Sequence, residues 1–94
     1  MAGFAYFDQY GVFHVVDDEA TAKQYARNGK YVETDVPHEY GYPTITAPDG
    51  KVEQVVVYDR GSHFEGYVDG NEKNGVELTQ EAIAFLNPVF EQLK

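Results

Sequence analysis

Ser62 and His63 are adjacent in this chain, and Ser62 is its only serine. A serine beside a histidine raises the question of nucleophilic catalysis, in which the imidazole must take the hydroxyl proton. Adjacent side chains in an extended segment point to opposite faces, so the spacing predicts that the two do not meet. No G-x-S-x-G context surrounds Ser62, and there is no cysteine to serve as another nucleophile. Ser62 reads as a turn residue.

Metal chemistry is the next possibility. His14, His38 and His63 are the three histidines, and neither H-E-x-x-H nor H-x-H joins them. His38 and Glu39 form one potential ligand pair, with His63 as a third candidate, but a zinc site needs three or four convergent ligands. The sequence predicts no resident metal and no cofactor. His14 faces as Val12 and Val16 do and is expected to be half-buried and hydrogen-bonded, with His38 and His63 at the surface. The stretch Asp69–Gly75 is rich in calcium-type ligands, but Lys73, Asn74 and Gln80 occupy positions where a calcium loop needs an oxygen donor, the invariant glycine and the bidentate glutamate. Neither G-x-x-x-x-G-K nor G-x-G-x-x-G occurs, so nucleotide binding has no support.

The aromatic residues remain. Tyr40 and Tyr42 lie in VPHEYGYP, a segment between two prolines that also carries His38 and Glu39. Tyrosine gives large contact area at low entropy cost and is enriched at interfaces. Tyr10 in the first turn and Tyr67 before the second polar loop join them as expected exposed rings. His38, Glu39, Tyr40, Tyr42, Tyr10 and Tyr67 are thus the binding-surface candidates, while Tyr25, Tyr31 and Tyr58 are assigned to the core.

The elements that position these residues follow from local chemistry. Lys51–Asp59 carries Val55, Val56, Val57 and Tyr58, apolar on both faces, and belongs at the centre of a sheet. Thr44–Ala47 pairs with it across Ala47-Pro48-Asp49-Gly50. Phe4–Phe7 and Val12–Val16 pair across Asp8-Gln9-Tyr10-Gly11, again with glycine at the left-handed position. Asp17–Gly29 reads as a helix capped by Asp17, burying Ala22, Tyr25 and Ala26 beside Thr21. Lys30–Val36 follows as a strand, Val36–Pro43 as a loop, and His63–Val68 as a strand. Thr79 caps a last helix whose apolar face, Ala82, Ile83, Leu86, Val89, Phe90 and Leu93, keeps its phase through Pro88. That phase predicts one kinked helix. The whole is a single α+β domain over residues 1–94: one mostly antiparallel sheet of about five to six strands with two helices packed on it, in the order β-β-α-β-β-β-β-α.

Seven basic and sixteen acidic residues leave a net charge of −9, which repels phosphate backbones and argues against direct nucleic-acid binding. No run approaches the ~20 apolar residues of a membrane helix. The N-terminus lacks a signal-peptide pattern, and the absence of cysteine suits a reducing cytoplasm. The leading expectation is a small, acidic, non-catalytic binding or accessory domain of the cytoplasm. It would contact a protein partner through Val36–Pro43 and an adjacent sheet edge. Alternatives are a metal-dependent enzyme using His38 and Glu39, and an acidic mimic of nucleic acid. Gly3–Phe7, uncharged and without proline, reads as an open edge through which two copies would form a weak homodimer.

Overall fold

The longest strand, Val52–Asp59, lies in the middle of a sheet, as its two apolar faces require. A computed structural model describes residues 3–68 and 76–94 of the chain. Its strands are β1 (Gly3–Phe7), β2 (Phe13–Val16), β3 (Val32–Thr34), β4 (His38–Glu39), β5 (Tyr42–Thr46), β6 (Val52–Asp59), β7 (Phe64–Val68) and β8 (Glu77–Leu78). The helices are α1 (Glu19–Tyr25), α2 (Gln80–Ile83) and α3 (Asn87–Gln92). The fold is α+β. The loop compared above with a calcium site falls in 69–75, outside the described residues.

Two sheets form where one was expected. Strands β2-β1-β3 make a three-stranded sheet and β4-β5-β6-β7-β8 a five-stranded one, with every pairing antiparallel. Eight strands expose more apolar area than short helices can cover, so the sheets cover each other. The main core joins Ala5, Phe7, Phe13 and Val15 of the smaller sheet to Val55 and Val57 of the larger and to Ile83, Leu86, Val89, Phe90 and Leu93 of the C-terminal helices. An isolated bridge between Val12 and Tyr58, and a 2.8 Å bond from the Asp59 N–H to the Gly11 carbonyl, tie the sheets at one corner.

Strand β1 is interior. It pairs with β2 and β3 on its two sides, and Ala5, Tyr6 and Phe7 are buried. The open edge expected at Gly3–Phe7 is covered by β3, which pairs with Gly3, Phe4 and Ala5 on the side away from β2. The chain returns through α1 to lay β3 on the far side of β1, so β2 and β3 run parallel to each other with β1 between them. Ala5 and Phe7 face the main core, while Phe4 and Tyr6 face α1.

Helix α1 is shorter than Asp17–Gly29, and its cap sits one residue later than Asp17. Its cap is Asp18, whose Oδ2 accepts from the Thr21 N–H at 3.2 Å and the Thr21 hydroxyl at 2.8 Å. Ala26 is extended, with ψ 130°, and ends the helix before a 3-10 turn over Arg27–Gly29. Ala22 and Ala26 are buried on Tyr6, and their small side chains let α1 lie close to the sheet. Tyr25 is turned away and 54% exposed, so its assignment to the core is corrected.

At the C-terminus, Thr79 caps α2 through a 3.2 Å bond to the Ala82 N–H. Ala84, Leu86 and Asn87 all keep right-handed helical dihedrals, so the backbone stays helical from α2 through a 3-10 turn at Ala84–Leu86 into α3. Pro88 supplies no N–H and crowds the Ala84 carbonyl, which tightens the turn in front of it. The expected kink takes this form. Ala82, placed above on the apolar face, is exposed.

Candidate functional site

The segment Val36–Pro43 is a two-residue β-hairpin, not a loop. His38 pairs with Pro43 and Glu39 with Tyr42, leaving Tyr40 and Gly41 as the turn. Both have positive φ, 52° and 86°, the requirement of a type I′ turn. Asn-Gly or Gly-Gly is the usual solution, so tyrosine at the first position hid the hairpin in the sequence. A bulky residue in the left-handed region is uncommon and costs energy. Tyr40 pays that cost at the tip while remaining 91% exposed.

Two histidines fix the hairpin to the smaller sheet. His14 on β2 donates from Nδ1 to the Gly41 carbonyl at 3.1 Å, and the Val15 N–H reaches the same oxygen at 3.2 Å. Its Nε2 lies 2.8 Å from Asp8 Oδ2. Asp8 Oδ1 also accepts the N–H groups of Tyr10 at 2.8 Å and Val12 at 3.0 Å. Burial raises the Asp8 carboxyl, but the bonds from His14, Val12 and Tyr10 outweigh it and hold its pKa below the ordinary value. Half-burial and hydrogen bonding were the expectation for His14, and both are found.

His38 was expected at the surface, yet only 9% of its side chain is exposed. Its Nδ1 donates to the Val36 carbonyl at 3.0 Å, and its Nε2 donates to Asp17 Oδ1 at 2.7 Å. Both partners can only accept, an arrangement that the doubly protonated ring satisfies. Burial lowers the imidazole pKa, but the bonds to Val36 and Asp17 prevail and raise it above its ordinary value. Gly3 makes room for the ring: a Cβ there would sit 2.9 Å from His38 Cε1 and 2.7 Å from the Val16 carbonyl oxygen. Asp17 therefore serves the hairpin, which explains why Asp18 caps α1.

Two clefts flank this junction. One, of about 350 Å³, is lined by Tyr6, Asp8, Gln9, Tyr10, His14 and Tyr25. The other, of about 470 Å³, is lined by Val16, Asp17, His38, Glu39, Tyr40 and Gly41. The His14–Gly41 bond joins them. Among the described residues, Tyr10, Tyr25 and Tyr40 are half of the six exposed large apolar side chains, and all three line these two clefts. Neither cleft is lined by a lysine or arginine among the described residues. Tyr6 stacks on His14 with ring centroids 5.2 Å apart, and the His14 ring also meets Tyr42 at 5.1 Å.

The structure brings His38, Glu39, Tyr40, Tyr42 and Tyr10 onto this face and places Tyr67 elsewhere. Tyr67, expected to be exposed, is only 8% exposed. It pairs with Val56 across the central strands, packs edge-on against Tyr58 and donates to Glu65 at 3.1 Å. Tyr6, Asp8, His14, Asp17 and Tyr25 were missed as members of the site. The register of the first hairpin sets Tyr6 opposite His14 and was in principle countable from the Asp8–Gly11 turn.

Ser62 and His63 do meet, against expectation. The chain bends at 61–63 and β7 starts only at Phe64, so alternation does not apply there. Ser62 Oγ lies 2.9 Å from His63 Nδ1, and His63 Nε2 lies 2.9 Å from Glu65 Oε1. The His63 contact, followed by the Arg60 guanidinium at 3.0 Å, lowers the Glu65 carboxyl to about 2. The relay is open to solvent, with half of the His63 side chain exposed. Among the described residues no three His, Asp or Glu side chains group as a metal site would require.

The fold and site together describe an α+β domain with a clamped tyrosine-bearing hairpin. No protein-family model matches the chain, and no curated protein or solved structure matches it either. No helix among the described residues is long and apolar enough to cross a membrane.

Proposed function

We propose that this chain is a non-catalytic binding domain of the cytoplasm that docks a protein partner on the face carrying Tyr10, Tyr25 and Tyr40. The observation that supports this most is Tyr40. A ring held in the left-handed region at a tip, almost wholly exposed, gains nothing for the fold. The hairpin beneath it is fixed by His14 and His38, so little entropy is lost when a partner closes on the ring. Tyrosines presented on a rigid support are the usual anchors of protein interfaces. Charge points to the kind of partner. The chain carries −9, and acidic Asp8, Asp17 and Glu39 line the clefts with no lysine or arginine beside them among the described residues, so the complementary surface is basic. A metal centre at His38 and Glu39 would have to break one of the two hydrogen bonds of the His38 ring, and no observation favours it.

Capture from a lysate of the native host tests the reading, with the wild-type chain beside a Tyr10→Ala/Tyr40→Ala double variant. One protein retained by the wild type and lost by the equally stable variant is the expected result. Equal retention by both would overturn the assignment of the face.

A further inference from the structure

We infer that the cleft lined by Tyr6, Asp8, Tyr10, His14 and Tyr25 receives the guanidinium group of an arginine from the partner. The inference rests on the binding-domain reading and adds the chemistry of one subsite.

Tyr6 is the first argument. The residue is 4% exposed, lines the cleft, and its hydroxyl has no hydrogen-bond partner among the described residues. No buried side-chain nitrogen or oxygen among the described residues lacks a partner, so this hydroxyl keeps its access to the cleft and meets whatever enters it. The other buried ring of this kind, Tyr67, donates to Glu65. A hydroxyl with no protein partner at the wall of a cleft is free to bond a ligand atom. Burial comes first in raising the Tyr6 pKa, and the neighbouring Asp8, Tyr25 and Tyr42 add to it. The phenol therefore keeps its proton, and its oxygen still has acceptor capacity.

Asp8 is the second. A carboxylate has about four acceptor positions. Tyr10 N–H, Val12 N–H and His14 Nε2 occupy three of them, which leaves one. A ligand that offers several N–H donors in one plane can span this last position and the Tyr6 oxygen. Guanidinium does so with its rigid fork, while an ammonium presents a compact point charge. The exposed rings of Tyr10 and Tyr25 supply the third element, since guanidinium also stacks on aromatic faces. The cleft, at about 350 Å³, is at the small end of ligand pockets and suits one side chain. His14 already shares Asp8, so the arginine joins an existing pair and binds weakly when isolated.

The test is a titration followed by two-dimensional NMR of the full chain with the blocked tripeptide acetyl-Gly-Arg-Gly-amide. Saturable shifts centred on Tyr6, Asp8, Tyr10, His14 and Tyr25 are expected. The same tripeptide with neutral citrulline in place of arginine should bind at least about tenfold more weakly, as loss of a charged hydrogen bond implies. Tyr6→Phe removes only the hydroxyl at the cleft wall, so it should weaken arginine binding by about tenfold while leaving the unfolding midpoint nearly unchanged. No saturable shift at tens of millimolar, equal binding of citrulline, or an unaffected Tyr6→Phe would each overturn the inference. These outcomes are distinct from failure of the binding-domain reading. That reading stands if capture of the partner still depends on Tyr10 and Tyr40 while the arginine peptide fails to bind.

Discussion

Replacing His38 by alanine should destabilise the fold by about 2 kcal/mol at pH 6, although sequence alone places this residue on an exposed loop. The bond to the Val36 carbonyl is worth ~1 kcal/mol net. The pair with Asp17 is short, at 2.7 Å, but the Asp17 side chain is 87% exposed. Solvent screening holds such a pair to ~0.5 kcal/mol. Removing the ring from its seat against Gly3 adds ~0.5–1 kcal/mol of lost apolar burial. For a domain of this length each kcal/mol moves the thermal midpoint by roughly 4–8 °C, so a drop on the order of 10 °C is expected. The pH dependence has a fixed sign. The folded-state pKa of His38 lies above its unfolded value, so the folded state holds the proton more tightly. That part of the stability is fully present below the unfolded pKa of about 6.5 and is lost as pH rises through the folded value. The gap between wild type and variant should therefore narrow between pH 6 and pH 9. Urea unfolding followed by circular dichroism at both pH values measures it, with exposed Glu39→Ala as a control expected within about ±0.5 kcal/mol. A His38→Ala loss below ~0.5 kcal/mol at pH 6 would show that the ring does not clamp the hairpin. A gap that widens with pH would refute the protonated, doubly donating imidazole.

Two further substitutions probe the hairpin tip and the core. Tyr40→Asn creates the Asn-Gly pair that a type I′ turn favours and should raise stability by about 0.5–1 kcal/mol while abolishing partner capture. A lower urea midpoint would contradict the account of strain at Tyr40. Leu86→Ala empties a fully buried site between the two sheets and the C-terminal helices and should cost roughly 2–5 kcal/mol. Because a small domain has only ~5–15 kcal/mol in total, an unchanged midpoint would mean that the buried face of the last helix is misassigned.

What could be read from the sequence was local. The two apolar faces of Val52–Asp59 put it inside a sheet, and the chemistry of Asp8–Gly11 and Ala47–Gly50 closed two hairpins, with Gly11 and Gly50 both bonded back to the first residue of their turns. Thr79 was recognisable as a cap, and the apolar phase through Pro88 foretold a helix bent but not broken. Each of these is decided within a few residues by dihedral preference, capping or periodicity. The partners of a strand are not. Gly3–Phe7 carries no mark that distinguishes an edge from an interior strand, and only the return of β3 beside it makes it interior. Tyr25 and Tyr67 exchanged their expected exposures for the same reason. Ala22 and Ala26 took the sheet-facing side of a short helix, while Tyr67 found Val56 and Glu65 on neighbouring strands. The site was hidden further because its members come from four separated segments, Tyr6–Tyr10, His14–Asp17, Tyr25 and His38–Tyr42. Burial of apolar surface common to both sheets chose the arrangement that brings those segments together, and no pattern confined to one segment contains that choice.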